Sequence, residues 1–111
     1  MLYALLLLAC TTSTGTWEGE CTDGSVSIAI QMELEEQGGE VTGDVALSAD
    51  GVIVDGDVEG ERDQEDLDLD MEFSMDGTSV TWAFDAELDG DDLEGTLDLE
   101  YVVVDCALER D

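Results

Sequence analysis

Residues 25–35, SVSIAIQMELE, decide the fold of this chain of 111 residues. Apolar side chains recur at every second position of the stretch, namely at Val26, Ile28, Ile30, Met32 and Leu34. A period of two places these side chains on one face of a strand and the mostly polar side chains between them on the other. The stretch therefore predicts a β-strand with one buried face and one face in water.

The same alternation continues through the rest of the chain. Short turn signals separate the alternating segments: Asp23-Gly24, Gly38-Gly39, Asp50-Gly51, Asp76-Gly77 and Asp89-Gly90. We expect a long acidic loop around residues 61–65, and Leu99 and Tyr101 on the inner face of the next-to-last strand. Between Tyr101 and Val102 the alternation slips by one residue, which indicates a tight connection or a β-bulge. No segment has a sustained helical period.

Glycines at inner strand positions favour a barrel. Gly43, Gly56 and Gly95 each stand at the centre of a repeated short motif, where a glycine lets a strand bend or leaves room for a large opposite side chain. Trp17 and Trp82 are the candidates to fill that room. Regular strands, short turns and inner glycines predict an all-β fold, an antiparallel up-and-down meander barrel of about eight strands. The alternative is a two-sheet β-sandwich of the same strands.

The charge of the chain restricts its partners. It has 31 acidic residues against two basic ones, no histidine, and a net charge of −29. Such a surface repels nucleic acid and anionic lipid headgroups, because binding to phosphates needs Lys and Arg. So much charge is typical of disorder, but 43% of the chain is hydrophobic and alternates, which indicates a folded domain with a halophilic-like surface.

The stretch Leu7-Leu8-Ala9-Cys10 resembles the lipobox of bacterial lipoproteins. The resemblance implies a signal peptide over residues 1–9, and a lipidated Cys10 with a short polar tether over residues 10–14. The acidic barrel domain then covers residues 15–111. It also implies a cell-envelope protein anchored in a membrane by its acyl chains, with the outer membrane favoured in a Gram-negative host because Thr11 rather than Asp follows the cysteine.

The alternative is a buried N-terminal strand with an incidental cysteine. No Lys or Arg precedes the apolar run, which leaves open whether Met1 is the true start.

If Cys10 carries a lipid, Cys21 and Cys106 remain of the three cysteines. An even pair in an exported protein predicts a disulfide. Opposed residues of an antiparallel pair have a constant index sum, so a Cys21–Cys106 pair places Trp17 opposite Arg110. An Arg guanidinium over an indole is a favourable cation–π contact. The register therefore predicts that the first and last strands pair and close the barrel.

A second resemblance concerns the same residues. Gly15-Thr16-Trp17 is similar to the G-x-W motif of lipocalins and the related avidin barrels, and Arg110 matches the late Arg that packs across this Trp in lipocalins. The resemblance implies an eight-stranded meander barrel and a small ligand held inside it. The ligand-lining candidates are Trp17, Met32, Met71, Phe73, Trp82 and Phe84.

The carboxylates offer a weak metal signal. Residues 85–90 begin like a calcium-binding EF-hand loop, but Thr96 stands where that loop has a bidentate Glu, and strands flank it instead of helices. Looser binding of a divalent cation such as Ca²⁺ is an alternative at Asp89, Asp91 and Asp92, or at Glu61, Asp63, Glu65 and Asp66. The simpler interpretation is a solvated acidic surface, with no cofactor.

The sequence predicts a non-catalytic protein. It has no Ser/His or Cys/His pair and no phosphate-binding loop, and its acids alternate outward, away from any shared cleft. We predict an exported, lipid-anchored structural or binding module of the envelope. The alternatives are a carrier of a small apolar ligand and a divalent-cation-dependent surface protein. The expected partners are the membrane through the acyl anchor and either a small apolar ligand or a basic protein, but not nucleic acid.

Overall fold

A computed structural model describes residues 12–111, which form a closed barrel of eight antiparallel strands in meander order. The strands are β1 (Gly15–Thr22), β2 (Ser27–Gln37), β3 (Glu40–Ala49), β4 (Val52–Asp63), β5 (Asp66–Met75), β6 (Thr78–Asp89), β7 (Asp92–Asp98) and β8 (Val103–Arg110). The predicted up-and-down barrel is confirmed, and closure excludes the two-sheet alternative. Among the described residues there is no helix long and apolar enough to cross a bilayer.

Strands β1 and β8 pair and close the barrel in the predicted register. Trp17 lies opposite Arg110 and Cys21 opposite Cys106. The two cysteines form a disulfide with a Cα–Cα distance of 4.0 Å. Closure leaves neither β1 nor β8 with an unpaired edge on which another strand could add.

The core consists of the inward-facing residues of all eight strands. The largest side chains that are almost fully buried are Trp17, Met32, Leu67, Met71, Phe73, Phe84, Leu93, Leu97 and Leu108. Carboxylates occupy most of the outward positions between these residues, as the alternation predicts. Burial of this apolar surface is the main stabilising contribution to the fold.

Inward glycines allow adjoining strands to approach closely. A Cβ at Gly43 or Gly95 would collide with a backbone oxygen of the adjoining strand, that of Glu33 or Asp85. A Cβ at Gly56 would likewise meet the backbone oxygen of Glu72, and it would also stand 2.6 Å from the ring of Phe73. Phe73, rather than either tryptophan, fills that space, and Trp82 packs against it with 5.1 Å between ring centroids.

The predicted acidic loop at residues 61–65 is wrong. Strand β4 continues to Asp63, which pairs with Asp66 at the start of β5. Only Gln64 and Glu65 make the turn, with Gln64 at a positive φ of 59°. The apolar alternation stops before Asp63 because the inward position near the end of β4 is occupied by Arg62. A charged residue there gives no sign that the strand continues.

The connection between β7 and β8 is a tight turn and not a bulge. Leu99 N donates to Val102 O at 2.9 Å, and Glu100 between them has a φ of 79°. Strand β7 therefore ends at Asp98 and does not continue to Tyr101 as predicted. Leu99 is half-buried and packs against the core, in line with its predicted inward position, whereas Tyr101 is 96% exposed. Val26, predicted on the buried face of residues 25–35, is 40% exposed because it precedes the first paired residue of β2. Val52, at the very start of β4, is likewise 64% exposed.

The meander gives the barrel two distinct ends. We call one end the mouth; the turns at residues 23–26, 50–51, 76–77 and 99–102 form it. We call the other end the base; it holds the turns at residues 38–39, 64–65 and 90–91, together with residues 12–14 and the end of β8. Residues 12–14 enter the barrel at the base, so the mouth is the end away from the N-terminal segment.

Candidate functional site

The base is closed by the chain segment that precedes β1. Ser13 is fully buried, and its carbonyl oxygen accepts a hydrogen bond of 2.9 Å from Trp17 Nε1. Thr14 Oγ1 accepts a hydrogen bond from the backbone N–H of Glu36 at 3.0 Å. Residues 12–14, predicted as part of a tether, are therefore bound to the barrel.

Glu36 and Arg62 hold this segment in place. Glu36 Oε1 accepts hydrogen bonds from Ser13 N at 3.0 Å, from Ser13 Oγ at 2.8 Å and from Arg62 Nε at 2.6 Å. Arg62 Nη2 donates to the other oxygen at 2.7 Å. The bond from Arg62 is the main reason that the pKa of Glu36 is lowered to about 2; burial opposes the shift and the bonds from Ser13 add to it.

Arg110 binds the same segment from the opposite side of the base. Its guanidinium lies 4.6 Å from the centre of the Trp17 ring. Its Nη1 donates to the carbonyl oxygens of Thr12 and Thr14 at 2.6 and 2.9 Å. Its Nε pairs with Asp91 at 3.0 Å. We name the two arginines, Glu36 and residues 12–14 the base latch.

The base latch uses both cations of the chain. Sequence reasoning identified Arg110 through its register with Trp17, but it gave Arg62 no role. The signal that could have identified Arg62 is that it is one of two basic residues in a chain with 31 acidic ones. Each arginine is therefore expected to form an ion pair with one of the many carboxylates.

Side chains fill the barrel where a ligand was predicted. Five of the ligand-lining candidates, Trp17, Met32, Met71, Phe73 and Phe84, are at most 1% exposed and pack against one another in one core. Trp82 is the exception, since it is half-buried; it lies opposite Met71 and packs against Phe73. The structure thus brings the six candidates together as a packed core, with Trp82 at its partly open edge.

The outer wall carries carboxylates in rows. Glu33, Asp44, Asp57 and Glu72 lie opposite one another on four consecutive strands. They border a shallow groove of about 590 Å³, with Val45 and Phe73 contributing to its floor. Acids that face each other in this way repel, because no cation stands between them.

A second row on the wall contains Glu40, Glu61, Asp68 and Asp85. The pKa of Asp85 is raised, chiefly by a hydrogen bond with Asp68, then by burial and by the charges of Asp68 and Asp70. A raised pKa at one member of the row is what mutual repulsion between carboxylates predicts.

The proposed metal ligands are not gathered into a site. Asp91 pairs with Arg110, while Asp89 and Asp92 face each other across the β6–β7 turn. Glu61 and Asp63 lie on β4, and Asp66 begins β5. Within residues 12–111, no three His, Cys, Asp or Glu side chains are placed to hold a metal ion. Calcium binding stays a prediction to which this geometry adds nothing.

The mouth differs from the wall and the base in its exposed apolar side chains. The large apolar residues that are exposed within residues 12–111 are Val26, Val52, Ile53, Tyr101 and Val103. All five lie in a mouth turn or within two residues of one. The mouth therefore presents apolar surface that the rest of this acidic exterior does not.

Cys10, the predicted lipidation site, lies outside the described residues. Comparison with protein-family models, with curated proteins and with solved structures found no significant match. The resemblance to lipocalins stays a prediction from Gly15-Thr16-Trp17 and Arg110; the structure shows the eight-stranded meander barrel and the Trp17–Arg110 contact.

Proposed function

We propose that the protein is an exported lipoprotein that displays a closed acidic β-barrel as a binding module of the cell envelope. The observation that carries the proposal is the position of the lipobox-like Cys10, two residues before the base latch. An acyl chain at Cys10 would place the base next to the lipid and leave the mouth free. The proposed protein has no catalytic role.

The disulfide supports an exported location. Cys21 and Cys106 join the first and last strands and are almost fully buried. Disulfides persist in the periplasm and outside the cell, and are rare in the reducing cytosol. A barrel whose first and last strands are joined by a disulfide fits an oxidising compartment.

The packed interior favours a module that binds through its surface over a carrier. A lipocalin-like carrier needs an internal space for its ligand, whereas here Trp17, Met32 and Phe84 occupy the centre of the barrel. Concave surfaces found on the protein, such as the groove between Glu33 and Glu72, open on the outer wall. Binding at the outside is therefore the function that this geometry supports best.

The anchor is tested with Cys10→Ser in the native host. We expect the wild-type protein to fractionate with membranes and to carry a diacylglycerol on Cys10 by mass spectrometry. Cys10→Ser should become soluble or remain uncleaved, and the matched control Thr11→Ser should behave like wild type. Wild-type protein without a diacylglycerol on Cys10, or Cys10→Ser that is cleaved like wild type and still partitions equally with membranes, contradicts the proposal. In a Gram-negative host, Thr11→Asp is expected to retain the protein in the inner membrane.

A further inference from the structure

We propose that the mouth is a docking surface for a cationic, amphipathic segment of a partner protein. The inference rests on the proposed function as a binding module and names the surface and the partner chemistry. It draws on the exposed apolar residues of the mouth, on the distribution of charge between the two ends, and on the position of the base latch.

The apolar side chains of the mouth continue the core to the surface. Val26 immediately precedes β2 and Val52 is the first residue of β4, so both lie where the sheet ends at the mouth. Val54, two residues further along β4, is half-buried and packs against the core. Ile53 and Tyr101 are 67% and 96% exposed at the rim. Apolar residues scattered singly over a surface need no explanation, but their concentration at one end of an acidic protein marks an interaction site.

The charge of the mouth has one sign. Each of its four turns carries a carboxylate, at Asp23, Asp50, Asp76 and Glu100. Both arginines of the chain are bound at the base, so none is available at the mouth. Exposed apolar side chains beside turn carboxylates are complementary to a segment that carries both apolar side chains and Lys or Arg.

This complementarity distinguishes a cationic segment from other occupants. A second copy would bring an identical set of carboxylates against the first, and an anionic lipid surface would be repelled in the same way. A small neutral ligand would leave the carboxylates of the mouth turns without a partner of opposite charge. The base latch holds residues 12–14 at the opposite end, which leaves the mouth accessible when the N-terminal segment is anchored.

The experiment measures the binding of three synthetic peptides of equal length. The first alternates Leu and Lys, the second replaces every Leu by Ser, and the third replaces every Lys by Ser. The full chain is used as the host produces it, in neutral-lipid nanodiscs if it partitions with membranes and in buffer if it does not. We expect the Leu/Lys peptide to bind in 0.15 M salt, and each of the other two to bind at least about tenfold more weakly, because both kinds of contact contribute.

Two sets of variants locate the binding. Ile53→Ser combined with Tyr101→Ser removes two exposed apolar side chains of the mouth and should weaken binding of the Leu/Lys peptide about tenfold. Asp50→Asn combined with Asp76→Asn removes two charges, and asparagine tolerates the positive φ of both positions. This double variant should bind the Leu/Lys peptide several-fold more weakly and with a smaller salt dependence. The matched control, Asp57→Asn with Glu72→Gln on the wall, removes the same charge and should change the affinity less than twofold.

Four results would overturn the inference. Equal binding of the Lys/Ser peptide, or an equal loss in the wall control, would mean that the whole acidic surface attracts cations without a site. A dimer that Ile53→Ser and Tyr101→Ser abolish would assign the mouth to a second copy. Flotation of the protein with neutral vesicles, lost in the same variant, would assign it to lipid. Failure of the Leu/Lys peptide to bind in 0.15 M salt would show that the mouth is not such a docking surface. All four are independent of Cys10 fractionation, so they leave the anchor proposal to its own test.

Discussion

The carboxylate of Glu36 holds residues 12–14 against the barrel. Its carboxylate binds Arg62 and Ser13 together, and its side chain is only 5% exposed. This contact could not be predicted from the sequence, because β3 lies between the strands of Glu36 and Arg62 and no register sum relates them. The Trp17–Arg110 and Cys21–Cys106 pairs could be predicted, because adjacent antiparallel strands fix the opposite residue.

The lowered pKa of Glu36 predicts a pH dependence that Glu36→Gln removes. A carboxylate whose pKa falls on folding stabilises the native state above its unfolded pKa, and this contribution is lost as pH falls through the folded pKa. With a fall from 4.5 to about 2, the difference in unfolding free energy between wild type and Glu36→Gln should be about 3 kcal/mol above pH 5. It should shrink towards zero near pH 2, measured by urea unfolding across this pH range.

The exposed neighbour Glu35 provides the control for this measurement. Glu35→Gln removes the same charge without touching Arg62, so it reports the general relief of repulsion among the acids as pH falls. A wild-type minus Glu36→Gln difference that stays constant between pH 6 and pH 2 would contradict the role of the carboxylate charge in the base latch.

The disulfide predicts a second effect at the residue scale. Cys21 and Cys106 are separated by 85 residues, and closing a loop of that length stabilises a protein by about 4 kcal/mol in the chain-entropy model. Alkylation of the folded, oxidised protein should label neither thiol. Replacing both cysteines by Ala should lower the unfolding free energy by several kcal/mol, measured by urea unfolding. Labelling of both cysteines without reductant would contradict the bond.

At the scale of the strands, the alternation and the turn dipeptides predict most of the meander. The stretch 25–35 corresponds to β2 (Ser27–Gln37), and the dipeptides at 38–39, 50–51, 76–77 and 89–90 lie at the turns between strands. The alternation failed at the end of β4, where Arg62 occupies an inner position, and at Tyr101, which belongs to a turn without a Gly, Asn or Pro to mark it. In both places, hydrogen bonds set the boundary instead of apolar burial, and such bonds leave no periodic trace in a sequence.

Strand curvature predicts the effect of a single methyl group. Gly43→Ala places a Cβ against the backbone oxygen of Glu33, which cannot move without breaking the β2–β3 pairing. We expect it to lower the unfolding free energy by more than Gly77→Ala does. A Cβ at Gly77 meets nothing within 4 Å, so that control costs only the roughly 1–2 kcal/mol of a positive φ. Equal losses in thermal unfolding would show that β3 does not need its bend.

For the molecule as a whole, stability should depend on ionic strength. The wall holds rows of like charges such as Glu33, Asp44, Asp57 and Glu72, and the two arginines are engaged at the base. High net charge opposes the compact state, and the screening length falls from about 10 Å in 0.1 M salt to about 3 Å in 1 M. We predict a Tm that rises steeply between low and molar sodium chloride.

Calcium at matched ionic strength separates screening from a specific site. An equal response to sodium and calcium would leave screening as the explanation and remove the divalent-cation alternative. An extra rise in Tm with millimolar calcium would support that alternative, despite the dispersed positions of Asp89, Asp91 and Asp92. A Tm that is indifferent to salt would contradict the role given to the rows.

The base latch has a mechanical consequence for an anchored protein. With residues 12–14 fixed to the barrel, only Cys10 and Thr11 would separate the acyl chains from a rigid body, a span of about 7 Å at full extension. The base would then stay within about 7 Å of the lipid while the protein diffuses laterally with its anchor. A partner would have to meet the mouth near the membrane, no further from it than one barrel can reach.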